Sequence, residues 1–177
     1  LSGANTYTGA TTVNEGRLIM TNQGATNSSA YSVAGGATLE MAVATGTRTM
    51  ATNSSLSGTG SFVKSGGGTL VWAGASATWN FGAGALIDVQ GGQITAGSNA
   101  NDVWTNNKAD LNVAAGATFD AAEGSSLANG GVFVDALSGA GTIKVGYTDG
   151  GPYADVITFG VDNGSGTFDG VLANATT

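Results

Sequence analysis

Trp104 and its polar neighbours are the residues whose types and spacing point most directly to chemistry. The indole lies in the polar stretch Gly97–Lys108, together with Asp102, Asn106 and Lys108. An exposed indole ring can stack on the apolar face of a pyranose while neighbouring polar groups bond its hydroxyls. The stretch therefore predicts a sugar-binding site. In the alternative interpretation, Trp104 folds back and covers the core beneath its own loop.

Three further aromatic positions are candidates for the same chemistry. Trp79 is a candidate binding residue, but it shares strand parity with Phe81, so that both rings could instead point into the core. Tyr147 and Tyr153 bracket the only proline of the chain and could form an aromatic platform, or could be partly exposed packing residues. Trp72 closes an apolar strand and is expected in the core.

Catalysis is disfavoured by the residue types that the chain lacks. It contains neither His nor Cys, which excludes Ser-His-Asp and Cys-His chemistry and histidine-based zinc sites. The acidic residues are scattered, although a glycosidase needs only two carboxylates, so that this class stays open. The scarcity of Lys and Arg argues against a lyase that uses a basic residue. We therefore predict that the chain is not an enzyme.

Calcium is the one metal that the acidic residues leave open. Asp149 with Asp155, or Asp102 with Asp110, could contribute oxygen ligands, but the sequence contains no recognised calcium-binding loop. Aspartates in turns commonly cap their own backbone instead. We predict no cofactor and keep calcium as an alternative.

The charge balance excludes whole classes of partner. The chain has 177 residues and a net charge of −7, with only five Lys and Arg in total. Nucleic acids, anionic polysaccharides and membrane surfaces require clustered basic residues, and no apolar run is long enough to span a bilayer. Neutral ligands remain. The length suits a single domain over residues 1–177, which we expect to be excised from a larger multidomain secreted protein.

Short strands are predicted throughout, with no convincing helix. Apolar residues alternate with small or polar ones, as in half-buried strands, and the segments are separated mostly by glycine pairs or by Gly with Asn, Ser, Asp or Ala. The predicted strands are Arg17–Met20, Tyr31–Val33, Thr38–Val43, Ser61–Lys64, Thr69–Trp72, Ala85–Val89, Gln93–Thr95, Asp110–Val113, Thr118–Asp120, Gly131–Val134, Thr142–Val145, Asp155–Phe159 and Thr167–Phe168.

Two short phrases recur along the chain. Leu-Ser-Gly begins at Leu1, Leu56 and Leu137, and Gly-Ala-Thr followed by an apolar residue and an acid begins at Gly36 and Gly116. Strand spacing alone also fits a β-sandwich, but internal similarity, very short strands and Asn/Gly corners favour a parallel β-helix, an all-β solenoid. Coils of roughly 20–25 residues predict about seven or eight coils.

The opening residues Leu1–Gly9 and Thr11–Leu18 resemble the autotransporter-associated β-strand repeat. That resemblance implies a right-handed parallel β-helix and a secreted or cell-surface location, and it implies no activity. Two later segments, Asp102–Val113 and Asp135–Ile143, are similar to non-catalytic regions of bacterial polysaccharide-degrading enzymes. This second resemblance is to a β-helical carbohydrate-binding module attached to bacterial xylanases, and it implies binding of a neutral β-glycan such as xylan.

Together these observations favour a non-catalytic carbohydrate-binding module that recognises a plant cell-wall β-glycan, with xylan as the expected ligand. The catalytic domain would be covalently linked in the parent chain. The alternative is a structural spacer or adhesin stalk, as in autotransporter passengers, without a ligand. A binder should expose aromatic rings in one groove, whereas a stalk should bury or scatter them.

Overall fold

The structure, a computed structural model, describes residues 1–3, 5–21, 30–51, 54–72, 77–96, 104, 106–121, 131–145 and 156–174. Within these ranges the regular elements are strands, and there is no helix. The strands pair in parallel, and successive strands along the chain enter different sheets. This arrangement is a parallel β-solenoid, so the prediction of an all-β parallel solenoid is confirmed.

Three sheets form the faces of the solenoid, and a short fourth sheet completes one of them. The first contains β1 (Thr11–Val13), β3 (Ala30–Val33), β6 (Ser55–Gly58) and β9 (Thr78–Phe81). The second contains β2 (Arg17–Thr21), β4 (Thr38–Ala42), β7 (Ser61–Ser65), β10 (Leu86–Val89), β12 (Asp110–Val113) and β15 (Leu137–Gly139). The third contains β5 (Thr47–Thr49), β8 (Thr69–Val71), β11 (Gln93–Thr95), β13 (Thr118–Asp120), β16 (Thr142–Val145) and β18 (Val171–Asn174). The fourth pairs β14 (Gly131–Phe133) with β17 (Val156–Thr158).

The solenoid has about four complete turns, fewer than the seven or eight predicted. The complete turns are β3–β5, β6–β8, β9–β11 and β14–β16. The turns that begin at β1, β12 and β17 each lack one strand among the described residues. The prediction divided the chain length by a coil of roughly 20–25 residues, and that division also counts the turns that lack a strand.

Register places like residues in rows that run along the solenoid axis. In the second sheet one inward row joins Leu18, Leu39, Phe62, Ile87, Leu111 and Leu137. In the third sheet a row joins Arg48, Leu70, Ile94, Phe119, Ile143 and Leu172. Alternate side chains of each strand point inward, so these rows meet in one core that extends along the coils.

The two recurring phrases, Leu-Ser-Gly and Gly-Ala-Thr, lie close to each other in successive coils. Gly58 lies over Val33 and Gly139 over Val113 in parallel register, both with positive φ (110° and 103°). The Val33 carbonyl accepts the N–H groups of the two residues after Gly58, each at 3.0 Å, and the Val113 carbonyl accepts the equivalent pair after Gly139 at 2.9 Å. The glycine of Leu-Ser-Gly in one coil therefore lies over the corner of the preceding coil, just before the Ala-Thr of that coil.

Candidate functional site

Six aromatic rings form a column in the core. Trp79 and Trp104 stack with ring centroids 4.6 Å apart and planes 8° from parallel. Trp72 lies 5.5 Å from Trp79, and Phe119 lies 6.0 Å from Trp104. The remaining members are Tyr31, 5.4 Å from Trp72, and Phe62, which contacts both Trp72 and Trp79 edge-on. The column extends from the first complete turn to the turn that contains β13.

Trp104 is the residue that the sequence made the centre of a sugar site, and the structure places it inside. Its side chain is only 1% exposed, and its Nε1 donates to the Ala96 carbonyl at 3.2 Å. One face of the indole lies against Trp79, and the indole makes a T-shaped contact with Phe119. This position corresponds to the alternative interpretation, in which Trp104 covers the core. Neither it nor Trp79 can stack on a sugar ring in this conformation.

Trp79 lies in β9 and points inward, as its parity with Phe81 allowed. It shares an inward row with Leu56 and is 1% exposed. The Nε1 groups of Trp72 and Trp79 are buried without a hydrogen-bond acceptor among the described residues. A buried N–H without a partner costs about 1–3 kcal/mol. Since their Nε1 groups have no hydrogen-bond partner among the described residues, packing against the neighbouring rings holds these two indoles in place.

Of the other predicted site residues, Asn106 and Lys108 lie within the described ranges. Asn106 and Lys108 are exposed. Lys108 Nζ pairs with Asp162 Oδ1 at 2.9 Å, and this hydrogen bond raises the pKa of the lysine above its ordinary value. Asp102, Tyr147 and Tyr153 lie outside the described residues. Glycan binding at these positions stays a prediction.

Asn107 is an important residue that the sequence analysis did not single out. It is buried between β9 and β14, where the described residues of the first face include no strand. Its Oδ1 accepts the backbone N–H of Phe81 at 3.2 Å, and its Nδ2 donates to the Phe133 carbonyl at 2.7 Å. The side-chain amide thus takes the place of a peptide group and, together with the backbone bonds from Lys108 N–H to the Phe81 carbonyl and from Asp135 N–H to the Ala109 carbonyl, links the first and fourth sheets. The signal was alternation, because Asn107 shares parity with the buried Ala109 and Leu111.

Side-chain clamps join successive coils on the second sheet. Arg17 Nη2 and Nε lie 2.6 and 2.8 Å from Glu40 Oε2, and Ser65 in the next coil donates to Glu40 Oε1. Further along, Asn112 Nδ2 donates to Asp88 at 2.7 Å and its Oδ1 lies 3.1 Å from the Ser138 hydroxyl. These hydrogen bonds, like the ladders, run parallel to the axis.

Lys64 is a buried cation in an apolar row. It lies between Met41 and Val89 and is 0% exposed. Its Nζ donates to the carbonyls of Gly66 and Gly91, both at 2.8 Å, and of Ser65 at 3.1 Å. All three ammonium protons are satisfied, but burial still lowers the pKa of Lys64 to about 8. The ammonium ties the glycine corner of one coil to the corner of the next.

Asp135 organises the turn that precedes the end of the described chain. Its Oδ1 accepts the backbone N–H groups of Asp162 at 2.8 Å and Gly164 at 2.7 Å, and its carbonyl accepts that of Gly160 at 2.9 Å. The Lys108–Asp162 ion pair fastens the same turn from the side. Beside it lies a pocket of about 370 Å³.

Metal ligation has no visible basis in this part of the chain. Among the described residues no group of three or more His, Cys, Asp or Glu side chains lies close enough together to hold an ion. Asp102, Asp149 and Asp155, which carry the calcium alternative, lie outside the described ranges, so calcium stays an open prediction. No described helix is long and apolar enough to cross a membrane.

Comparison with known proteins finds similarity only at the start of the chain. A family model for the passenger-associated transport repeat matches residues 1–20. The predicted resemblance of Leu1–Leu18 to an autotransporter repeat is thereby confirmed for those residues. No curated protein and no solved structure matches the chain, and nothing among these comparisons supports a module attached to xylanases.

Proposed function

We propose that this chain is a structural β-solenoid segment, a rigid spacer or adhesin stalk of a secreted or cell-surface protein. The single observation that carries the proposal is the location of the aromatic rings. Six of them form the core column, and the three tryptophans are each at most 1% exposed. A surface that recognised glycans by stacking would need such rings outside.

The bonding pattern supports a mechanical role. Parallel ladders connect each coil to its neighbours, and the clamps centred on Glu40, Lys64 and Asn112 add side-chain bonds in the same direction. In a solenoid each coil contacts only its neighbours, so stiffness depends on these interfaces. The outward positions of the first sheet, Thr12, Ser32, Ser57 and Asn80, carry short polar side chains, which suit a passive surface.

The repeat match at residues 1–20 supports export, because passenger-associated repeats belong to transported proteins. We propose accordingly that the chain is one non-catalytic domain of a larger secreted or surface protein. We also propose right-handed winding, since nearly all β-strand crossover connections within a parallel sheet are right-handed.

Recognition of a neutral polysaccharide such as xylan is the competing proposal. It rests on the exposed polar side chains of Asn106 and Lys108, beside the segment that contains Asp102. A further aromatic contribution would have to come from Tyr147 and Tyr153. This version predicts a polar site at the edge of the solenoid, with the tryptophans serving only as support.

Affinity electrophoresis separates the two proposals. The chain is run in native gels that contain xylan, β-glucan or mannan, with Lys108→Ala and Tyr153→Ala as variants. A spacer migrates as in a gel without polysaccharide. If one polysaccharide retards the wild type and either variant abolishes that retardation, the spacer proposal is wrong and the binding-module proposal is supported. Trp104→Ala is run as well, with its thermal midpoint, because lost binding in that variant would be uninformative if the core has loosened.

Acrylamide quenching of tryptophan fluorescence tests the observation itself. The buried column predicts quenching well below that of free indole, and unchanged quenching when xylan is added. Strong quenching that xylan suppresses would show that indoles reach the ligand and would contradict the spacer.

A further inference from the structure

The pocket beside Asp135 combines an apolar floor with one fixed charge. Leu137, Phe159 and Phe168 supply the apolar surface, while Asp135 and Ser165 supply the polar groups. The Phe159 side chain is 39% exposed, unlike the rings of the core column. A volume of about 370 Å³ lies at the lower end of the range for small-molecule sites.

The carboxylate in this pocket is held rigidly before any ligand arrives. Two backbone N–H groups, of Asp162 and Gly164, bond to the same oxygen of Asp135. These bonds fix the orientation of the carboxyl group without neutralising its charge. A preorganised group gives up little conformational entropy when it binds a ligand.

The electrostatics of this region favour a cation. The chain carries a net charge of −7, and none of the described residues that line the pocket is Lys or Arg. The ammonium of Lys108, which lies at the same turn, is already paired with Asp162 at 2.9 Å. Asp135 adds to the stabilisation of that ammonium, so the carboxylate acts on positive charge at this turn.

We propose that this pocket binds an organic ammonium ion. Asp135 serves as its counter-ion, and the face of Phe159 contacts the methyl or methylene groups that surround the nitrogen. Aromatic faces attract ammonium groups through their quadrupole, and the apolar floor accommodates the carbon substituents. This site is independent of the spacer role, which requires no ligand.

The proposal is tested by NMR titration of the full chain with choline and with its uncharged analogue 3,3-dimethylbutan-1-ol. Choline should give saturable amide shifts at Gly160, Gly164 and Ser165, with a dissociation constant on the order of 1–10 mM. Added salt should weaken binding, because the charge is partly solvated. Equal affinity for the uncharged analogue, or no saturable shifts, overturns the proposal.

Two variants with matched controls assign the roles. Asp135→Asn keeps an oxygen that can accept both N–H groups and should lower the affinity at least about fivefold. Phe159→Leu keeps an apolar side chain and should lower it about two- to fivefold. Asp169→Asn, exposed and outside the pocket, and Tyr7→Leu, an exposed ring at the other end of the chain, should leave affinity unchanged. Unaltered affinity in both pocket variants, with thermal midpoints preserved, would also overturn the site.

Discussion

The central coils and the last coil contain the same kinds of side chain in the same rows, yet they bury them very differently. In the third sheet, Leu70, Ile94, Phe119 and Ile143 are all 0% exposed, whereas Leu172, next in the same row, is 57% exposed. The exposure differs because each inner coil is covered by another coil on both sides, whereas the last coil is covered on one side only. In a solenoid, position along the axis therefore decides how much an apolar residue stabilises the fold.

The other end of that row, at Arg48, is covered by a charged side chain. Arg48 begins the row, and its Nη1 donates to the carbonyls of Thr21 at 3.0 Å and Met20 at 3.3 Å. Burial lowers the pKa of the guanidinium, although it stays charged at ordinary pH. A cation that bonds carbonyls covers the first end, while aliphatic side chains lie open at the last.

The largest expected effect contrasts Trp79 with Leu172. Trp79→Ala removes a ring from the centre of the column and should lower the free energy of unfolding by about 3–5 kcal/mol. Leu172→Ala should lower it by less than about 1 kcal/mol, since most of that side chain already meets water. Urea unfolding followed by circular dichroism measures both. Equal losses would refute the contrast, and Trp79→Phe provides a milder variant if the alanine variant does not fold.

Glycine corners give the next contrast. At Gly58 a Cβ would lie 2.0 Å from the Val33 carbonyl oxygen, in addition to the strain of positive φ. At Gly160, with φ of +77°, a Cβ would meet nothing within 4 Å. Gly58→Ala should therefore cost at least about 3 kcal/mol, and Gly160→Ala about 1 kcal/mol. Thermal unfolding ranks the two, and a reversed order would contradict the stacking role of the Leu-Ser-Gly phrase.

The lowered pKa of Lys64 determines how the free energy of unfolding should change with pH. Its pKa is about 8 in the folded state against 10.5 for the ordinary group. Between these values the unfolded chain binds more protons than the folded chain, so the free energy of unfolding should rise with pH. The rise should be on the order of 2–3 kcal/mol between about pH 8 and about pH 10.5.

Urea titrations of the wild type and of Lys64→Met across that window isolate this contribution. The difference between the two proteins should grow in favour of the wild type as the pH rises. Methionine matches the neighbouring Met41 in the row and cannot titrate. A difference that stays constant with pH would contradict the burial of a charged amine.

Asn107 lies between the first and the fourth sheet, and its loss should have the smallest effect. Asn107→Ala leaves the N–H of Phe81 and the carbonyl of Phe133 without their partners and should cost about 2 kcal/mol. The adjacent Asn106→Ala changes an exposed side chain and should stay within about 0.5 kcal/mol. Hydrogen exchange should show faster opening of β14 and β17 only in the first variant. If β14 and β17 exchange at the same rate in both variants, Asn107 does not link the two sheets.

Sequence patterns identified most strands because alternation reflects burial directly. They missed β1, β9 and β18, and the predicted strand Thr167–Phe168 contributes only an isolated bridge from Phe168 to Gly139. They also missed β6 and β15, since Leu-Ser-Gly offers one apolar residue and ends in a glycine that resembles a corner. They also missed β5, whose inward residue is the charged Arg48. These strands exist because the coil below supplies their hydrogen-bond partners, and that information lies more than twenty residues away in the chain.

The candidate site was harder to predict for a related reason. Parity placed Trp79 inward, and the structure agrees, but no local pattern decides which way the loop that carries Trp104 folds. That choice depends on the open face of the Trp79 ring, one coil away. Asp135 gave no signal at all, since an aspartate that accepts backbone N–H groups looks in sequence like any turn residue.

The amide of Asn107 has a consequence for how the first face would carry a pulling force. Its two side-chain bonds join Phe81 to Phe133, and beside them the Lys108 N–H donates to the Phe81 carbonyl and the Asp135 N–H to the Ala109 carbonyl. Among the described residues, these few hydrogen bonds stand between β9 and β14 in place of a full strand ladder. A pull along the solenoid axis should therefore separate the first face here before it separates β3, β6 and β9.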